Sequence, residues 1–295
     1  MIDAAAYRLR AQEALEKRDI GLAVACLENA VRQDPADIEA YRILGRILRN
    51  TGRPDEAARW YRRCLEIAPA DGVATMGLAS LGQGPVPERL PDDVVLYVFD
   101  HNAESYETNM RSLGYSAPES LLGLFRAEEG DDEDGSLEVL DLGCGSGLCG
   151  PLFRPFARRL VGVDLSPRML ALAAGKHVYD ELIQAEILEY LARAADGIDV
   201  VVAANVLVYF GDLASLAEGV ARILPSGGLF LFDVEKGKGT EPGFHVSGRY
   251  THSLAVLESA LLPRGFSLTR VEETVMRTEQ GTPVTGLSCA AHLIV

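Results

Sequence analysis

Two kinds of hydrophobic pattern divide this chain of 295 residues. Over about the first eighty residues, apolar and small side chains recur at helical spacing, and the pattern repeats when the sequence is shifted by 34 positions. That shift sets Tyr7 on Tyr41, Ala11 on Gly45, Ala14 on Leu48, Ala23 on Ala57, Leu27 on Tyr61, Ala30 on Cys64 and Pro35 on Pro69. It predicts helix pairs that touch at small residues and end at a proline, with a shorter helix over 71–81 closing the stack. Gly82 to Pro91, rich in glycine and proline, breaks the periodicity and reads as a linker. An amphipathic helical segment follows over 99–115. From Leu137 the pattern changes to short apolar runs that end at glycines or acids, the mark of buried strands.

The most telling run is VLDLGCGSG, Val139 to Gly147. It reads as a buried strand that ends in a turn only glycine allows, with Gly143, Gly145 and Gly147 letting backbone approach a ligand. About twenty residues later LVGVD ends at Asp164, a carboxylate at a strand's carboxyl edge and placed to take both hydroxyls of a ribose. The glycines alone also fit a dinucleotide fingerprint. Asp141, two residues before the first glycine, argues against that: an acid there suits a cationic ligand and opposes a pyrophosphate.

Later segments, taken in order, resemble the class I S-adenosylmethionine (SAM) methyltransferases from about Val94 to Val295. Glu138 to Gly147 resembles the family's first motif, with Cys144 inside it. Asp164 matches the acid that holds the ribose, with Leu165 and Met169 beside it. QAEIL, Gln184 to Leu188, resembles the segment after the third strand, where Glu186 takes the adenine amino group and the Ile187 N–H a ring nitrogen. Gly197 to Tyr209 looks like the fourth strand and its loop, which carries Asn205, and Leu224 to Phe232 like the Gly-Gly turn and fifth strand. FDHNAESYE, Phe99 to Glu107, resembles a lid helix that closes over SAM, bringing Tyr106 to it. Glu107, Glu186 and Asn205 each stand where the family more often has Asp.

The resemblance implies a Rossmann-like, doubly wound α/β sheet of seven strands behind an all-α N-terminal domain. Five parallel strands are expected near 137–142, 159–164, 181–186, 198–204 and 228–234. An antiparallel hairpin is expected over 265–276 and 284–295, broken at 279–283. The expected domains are helical repeats over 1–82, a linker over 83–93, and a SAM domain over 94–295 with lid helices at 94–126. The 34-residue repeat resembles tetratricopeptide repeats, and the whole chain resembles bacterial methyltransferases that carry them. Two repeats are fewer than the three a free-standing stack usually needs. The array is therefore expected to lean on the other domain or on a second copy. It reads equally as a docking surface for a peptide or protein and as a stabilising or dimerising appendage.

The expected reaction is methyl transfer from SAM to an O, N or S nucleophile of a small metabolite, leaving S-adenosylhomocysteine. A peptide methyltransferase recruiting through the repeats and a non-catalytic SAM-binding scaffold are the alternatives. Transfer needs alignment above all, with a general base only for a protonated acceptor. Candidate bases are His252, after the fifth strand, and His101 in the lid; Tyr209 follows the fourth strand. Arg249 and Tyr250, with Glu235, form a polar group for a substrate's acidic end, Arg249 offering a bidentate fork. The alternative for Arg249 is a structural pairing with a carboxylate such as Glu235. His177 and His292 read as structural.

Charge and cysteine use narrow the partners. The net charge of −15 argues against nucleic acid, whose phosphates demand the opposite sign. The five cysteines are scattered without a C-x-x-C pair, and Cys144 and Cys149 lack the two further ligands a metal would need, so no metal is expected. No run of eighteen apolar residues and no signal-peptide pattern is present, which points to a cytoplasmic protein away from membranes.

Overall fold

The computed structural model describes residues 3–279 and 281–294, His101 by its backbone alone. The chain divides into two compact units, Met1–Pro87 with Phe244–Arg249, and Glu88–Gly243 with Tyr250–Val295.

Among the described residues the first unit holds five helices: α1 (Ala4–Glu16), α2 (Ile20–Gln33), α3 (Ile38–Asn50), α4 (Pro54–Ile67) and α5 (Gly72–Ser80). Asp3, Asp19, Asp37 and Asp71 cap α1, α2, α3 and α5 by accepting a backbone N–H of the first turn, while α4 starts on a proline. The 34-residue period reappears in ion pairs: Arg8 binds the Asp37 cap, and Arg42 binds the Asp71 cap with Nε at 2.8 Å from Oδ2. Tyr61 fills the space between α3 and α5. A Cβ added at Gly45 or at Gly77 would stand 2.4 Å from its ring, so both helices must be bare there.

In the second unit the sheet runs β3 (Glu181–Gln184), β2 (Ala157–Asp164), β1 (Leu137–Leu142), β4 (Val200–Ala203), β5 (Leu229–Lys236), all parallel. β9 (Thr282–Leu293) then pairs antiparallel with β5, and β8 (Phe266–Glu279) with β9. These are the seven expected strands. Two short strands, β6 (Gly243–Phe244) and β7 (Tyr250–His252), extend the sheet at the end of β5. Leu140, Val201 and Phe230 face one side of the sheet, and Val139, Val202 and Leu231 the other; both sides are buried, as a doubly wound sheet requires.

The helices of this unit are α6 (Asp92–Ser112), α7 (Ala117–Glu129), α8 (Gly150–Phe153), α9 (Pro167–Ala174), α10 (Ile187–Arg193), α11 (Ala214–Ile223) and α12 (Leu254–Leu261). Some boundaries differ from expectation. β3 stops at Gln184 because Glu186 serves as the cap of α10, accepting the Glu189 N–H at 2.9 Å. The hairpin pairs farther than 276 and 284: Arg277 lies opposite Val284 and Glu279 opposite Thr282, leaving a tight turn at Gly281.

Candidate functional site

The turn after β1 is docked onto β2 by two N–H groups, from Gly143 and Cys144, that both reach the carbonyl of Val163 at 2.8 and 2.9 Å. Its three glycines have positive φ, at 71°, 52° and 81°. Their duties differ. A Cβ at Gly143 would lie 2.5 Å from Val206, and one at Gly147 would lie 2.9 Å from Tyr179, whereas one at Gly145 would meet nothing within 4 Å. Gly143 and Gly145 both border the open space above the turn, Gly145 with room for a side chain and Gly143 without, whereas Gly147 makes room for the protein itself. Of the three expected to serve ligand approach, Gly147 is the one that packs against Tyr179 and Ala173 and does not border the cleft.

Above this turn lies a cleft enclosing about 680 Å³, part of it open to solvent, at the carboxyl edge of the strands. Asp164 and Leu165 border it at the end of β2, and Glu186 and Ile187 after β3. Ala204, Asn205 and Tyr209 border it after β4, and Phe99 and Tyr106 cover it from α6. A smaller cavity, lined by Asp141, Cys144 and Tyr115, shares Tyr106, Gly143, Gly145 and Ala204 with the first.

Three carboxylates mark the ends of this space. Asp164 Oδ2 accepts the Gly145 N–H and Oδ1 the Ser166 N–H, each at 2.8 Å, and burial raises its pKa against those bonds. Asp141, 2 % exposed, accepts the Tyr179 hydroxyl at 2.6 Å, and burial pushes it up to about 7. Glu186 caps α10 with one oxygen while the Arg89 guanidinium stands 3.8 Å from the other. A buried acid beside a cavity favours a cationic ligand, and neutralises by taking up a proton without one.

α6 is latched over the cleft by polar contacts with α9 and the residues flanking it. Ser166 donates to Asp100 at 2.5 Å, Arg168 to the Asp100 carbonyl at 2.9 Å, and Lys176 to Glu107 at 2.7 Å. Phe99 sets its ring edge to face with Tyr209 at 5.6 Å and with Tyr106 at 6.1 Å.

Other expected site residues lie elsewhere. Met169, a residue of α9, is fully buried and does not line the cleft. His252 is also fully buried, its Nε2 at 2.9 Å from the Phe210 carbonyl, and burial keeps it neutral by lowering its pKa. Glu235 is bound by Arg277, which is 2 % exposed. Tyr250 packs under Gly211 and, like Glu235, does not line the cleft, while Arg249 belongs to the first unit. The His101 side chain lies outside the described residues. Sequence reasoning missed Arg89, Leu90 and Asp92, which border the cleft from the supposed linker. There Leu90 donates to the Tyr209 carbonyl at 2.8 Å, and the Glu88 carbonyl accepts from Gly211 and Asp212 at 2.7 and 3.0 Å. It also missed Tyr179, which no motif distinguishes.

Residues 140–232 match the methyltransferase domain family, and residues 8–72 match a tetratricopeptide repeat family. The second unit carries a methyltransferase domain. The methyltransferase domain is similar to a ubiquinone biosynthesis O-methyltransferase of Thiobacillus denitrificans, 34% identical over 32% of this chain and 43% of that one. It is similar also to a malonyl-[acyl-carrier protein] O-methyltransferase of Pectobacterium atrosepticum, 31% identical over 49% of this chain and 54% of that one. The chain thus spans about half the length of the curated relatives it matches. Among solved structures, magnesium protoporphyrin IX methyltransferase of Synechocystis with bound S-adenosylhomocysteine aligns with TM-score 0.54 at 18% identity, covering 68% of this chain and 99% of that chain. That likeness gives the methyltransferase domain its fold. Among the described residues no helix is long and apolar enough to cross a membrane.

Proposed function

We propose that the methyltransferase domain binds SAM in the cleft and transfers its methyl group to a nucleophile of a small molecule in the cytoplasm. The observation that carries this reading is the meeting of Gly145, Asp164 and Glu186 around one cleft at the carboxyl edge of a doubly wound sheet. Gly145 gives the open backbone, Asp164 retains lone pairs for ribose hydroxyls beyond its two N–H bonds, and Ile187 borders the same cleft, its N–H the proposed donor to an adenine ring nitrogen. Asp141 supplies a buried negative charge to the cationic methionine end. When bound, SAM supplies a methyl group already activated by its sulfonium.

The chain's own part is then to orient and to exclude water, for which the α6 cover with Phe99 and Tyr106 is suited. A cover of this kind favours a small molecule over an extended peptide. The solved neighbour named for a porphyrin substrate is in keeping with that. Calorimetry on the full chain tests the reading: SAM and S-adenosylhomocysteine are expected to bind at micromolar strength, and absence of heat with both overturns it.

A further inference from the structure

Tyr179 belongs to no motif, yet the turn after β1, α8 and β2 each leave room for it. It stands in the chain between α9 and β3, where Arg154 donates to the Val178 carbonyl at 3.2 Å and to Asp180 at 2.6 Å. Asp180 is pinned to β2 in turn: its carboxylate accepts the Leu160 N–H at 2.7 Å, and its own N–H donates to the Leu160 carbonyl at 2.9 Å. The Tyr179 ring then enters a slot of bare backbone. A Cβ would lie 2.9 Å from it at Gly147, 2.7 Å at Gly150 and 3.0 Å at Gly162. From that slot the hydroxyl donates to Asp141 Oδ2 at 2.6 Å. A phenylalanine would fill the same space, so packing does not account for the hydroxyl. Its partner Asp141 borders the smaller cavity together with Gly143, Gly145 and Ser146.

We propose that Tyr179 is a positioning residue of the cofactor site: by occupying Asp141 Oδ2 it leaves Oδ1 to receive the amino group of bound SAM. The proposal rests on the SAM reading above. The hydroxyl is a donor, so it favours Asp141 as a carboxylate, whereas burial favours the neutral acid. The other titratable groups around Asp141 are Asp164 from β2, the Cys144 and Cys149 thiols, and Tyr106 and Tyr115, which line the smaller cavity with it. Burial pushes both thiols up, so they stay neutral, and Asp164 works against a charge on Asp141. None of these groups is a cation. The charge that balances Asp141 is left to the ligand, and Tyr179 is the donor that holds the carboxylate ready for it.

Tyr179→Phe keeps the ring in its slot and removes the donor alone. Two probes separate positioning from packing: S-adenosylhomocysteine, whose amino group is its one cationic centre, and methylthioadenosine, which lacks the amino-acid end. In calorimetry on the full chain at about pH 7, the variant should bind S-adenosylhomocysteine about tenfold more weakly and methylthioadenosine within about twofold of the parent protein. The pH at which S-adenosylhomocysteine affinity levels off should move up by about one pH unit, because Asp141 loses a bond that favours its charged form. On an Asp141→Asn background, Tyr179→Phe should change S-adenosylhomocysteine affinity by less than about twofold. Equal weakening of both probes, or an unshifted pH profile, means that Tyr179 only packs and overturns the proposal. Unchanged S-adenosylhomocysteine affinity in the single variant overturns it too. Failure of the parent protein to bind either probe points instead at the SAM reading, and this inference falls with it.

Discussion

Gly145 donates its backbone N–H to Asp164 Oδ2 across 2.8 Å, tying the turn after β1 to the end of β2. The acid proposed to hold the ribose therefore also shapes the loop proposed to lie under the methionine tail. Charge-assisted hydrogen bonds of this kind contribute roughly 1.5–3 kcal/mol each. Asp164→Asn keeps one acceptor oxygen and should weaken SAM binding about 10- to 100-fold in calorimetry. Asp164→Ala should also lower the melting temperature, since the Gly145 and Ser166 N–H groups lose their partner. SAM affinity unchanged in both variants would remove Asp164 from the site.

Asp141 makes a pH prediction of definite sign. Its folded pKa is about 7, raised by burial, against an ordinary value of 3.8. Without ligand, the stability it confers is complete below its unfolded value and is lost as pH rises through about 7. A bound cation reverses this preference by favouring the carboxylate, so affinity for SAM should rise with pH, by up to roughly tenfold per unit, and level off above neutrality. Asp141→Asn should flatten that slope. Asp233 is also raised to about 7, so the unliganded melting temperature should keep part of its fall in that variant. A SAM affinity that stays constant in the parent protein from about pH 5.5 to about pH 8 would contradict the assignment.

Arg168 joins α9 to the cover, donating to the Asp100 carbonyl at 2.9 Å and to Glu104 at 2.8 Å. Glu104 is largely exposed, so the pair adds less than about 1 kcal/mol to global stability. Its effect should be local. Arg168→Ala is expected to leave the melting temperature within about 2 °C while speeding amide exchange across 92–112 and raising the SAM dissociation rate several-fold. A change in melting temperature without either local effect would mean that the contact stabilises the unit and does not govern the cover.

Much of this was legible because it is periodic or local. The 34-residue shift aligned Gly45 with a small residue, and the structure gives the reason in the Tyr61 ring, which a Cβ at Gly45 would meet at 2.4 Å. The same shift relates Arg8–Asp37 to Arg42–Asp71, a pairing that residue-type matching alone did not reveal. The glycine turn, Asp164 and the places of the strands show in short apolar runs with fixed ends, and the doubly wound sheet followed from the family resemblance. What stayed hidden depends on distant chain meeting: Arg277 reaches Glu235 from 42 residues away, and Tyr179 reaches Asp141 from 38. The glycines and prolines of 82–91 mark an end to helix but not what the extended chain does next. There Arg89 forms a β-bridge with Phe210 and makes one wall of the cleft.

His252 shows how a residue near a site can be read as chemistry when its work is packing. Its ring is fully enclosed, Nε2 meets the Phe210 carbonyl at 2.9 Å, and Nδ1 is buried without a partner among the described residues. Burial lowers its folded pKa below the usual 6.5. The contribution it makes to stability is therefore complete above the unfolded value and is lost as pH falls through and below it. His252→Ala leaves the Phe210 carbonyl bare and opens a cavity, which together should cost about 2–4 kcal/mol and lower the melting temperature by several degrees. His252→Gln keeps a donor near Nε2 and should recover part of that loss while removing the fall in stability at low pH. Neither variant should shift SAM affinity beyond about twofold at temperatures where it is folded. Loss of the acid limb of turnover in a fully folded His252→Gln protein would return this histidine to the catalytic site.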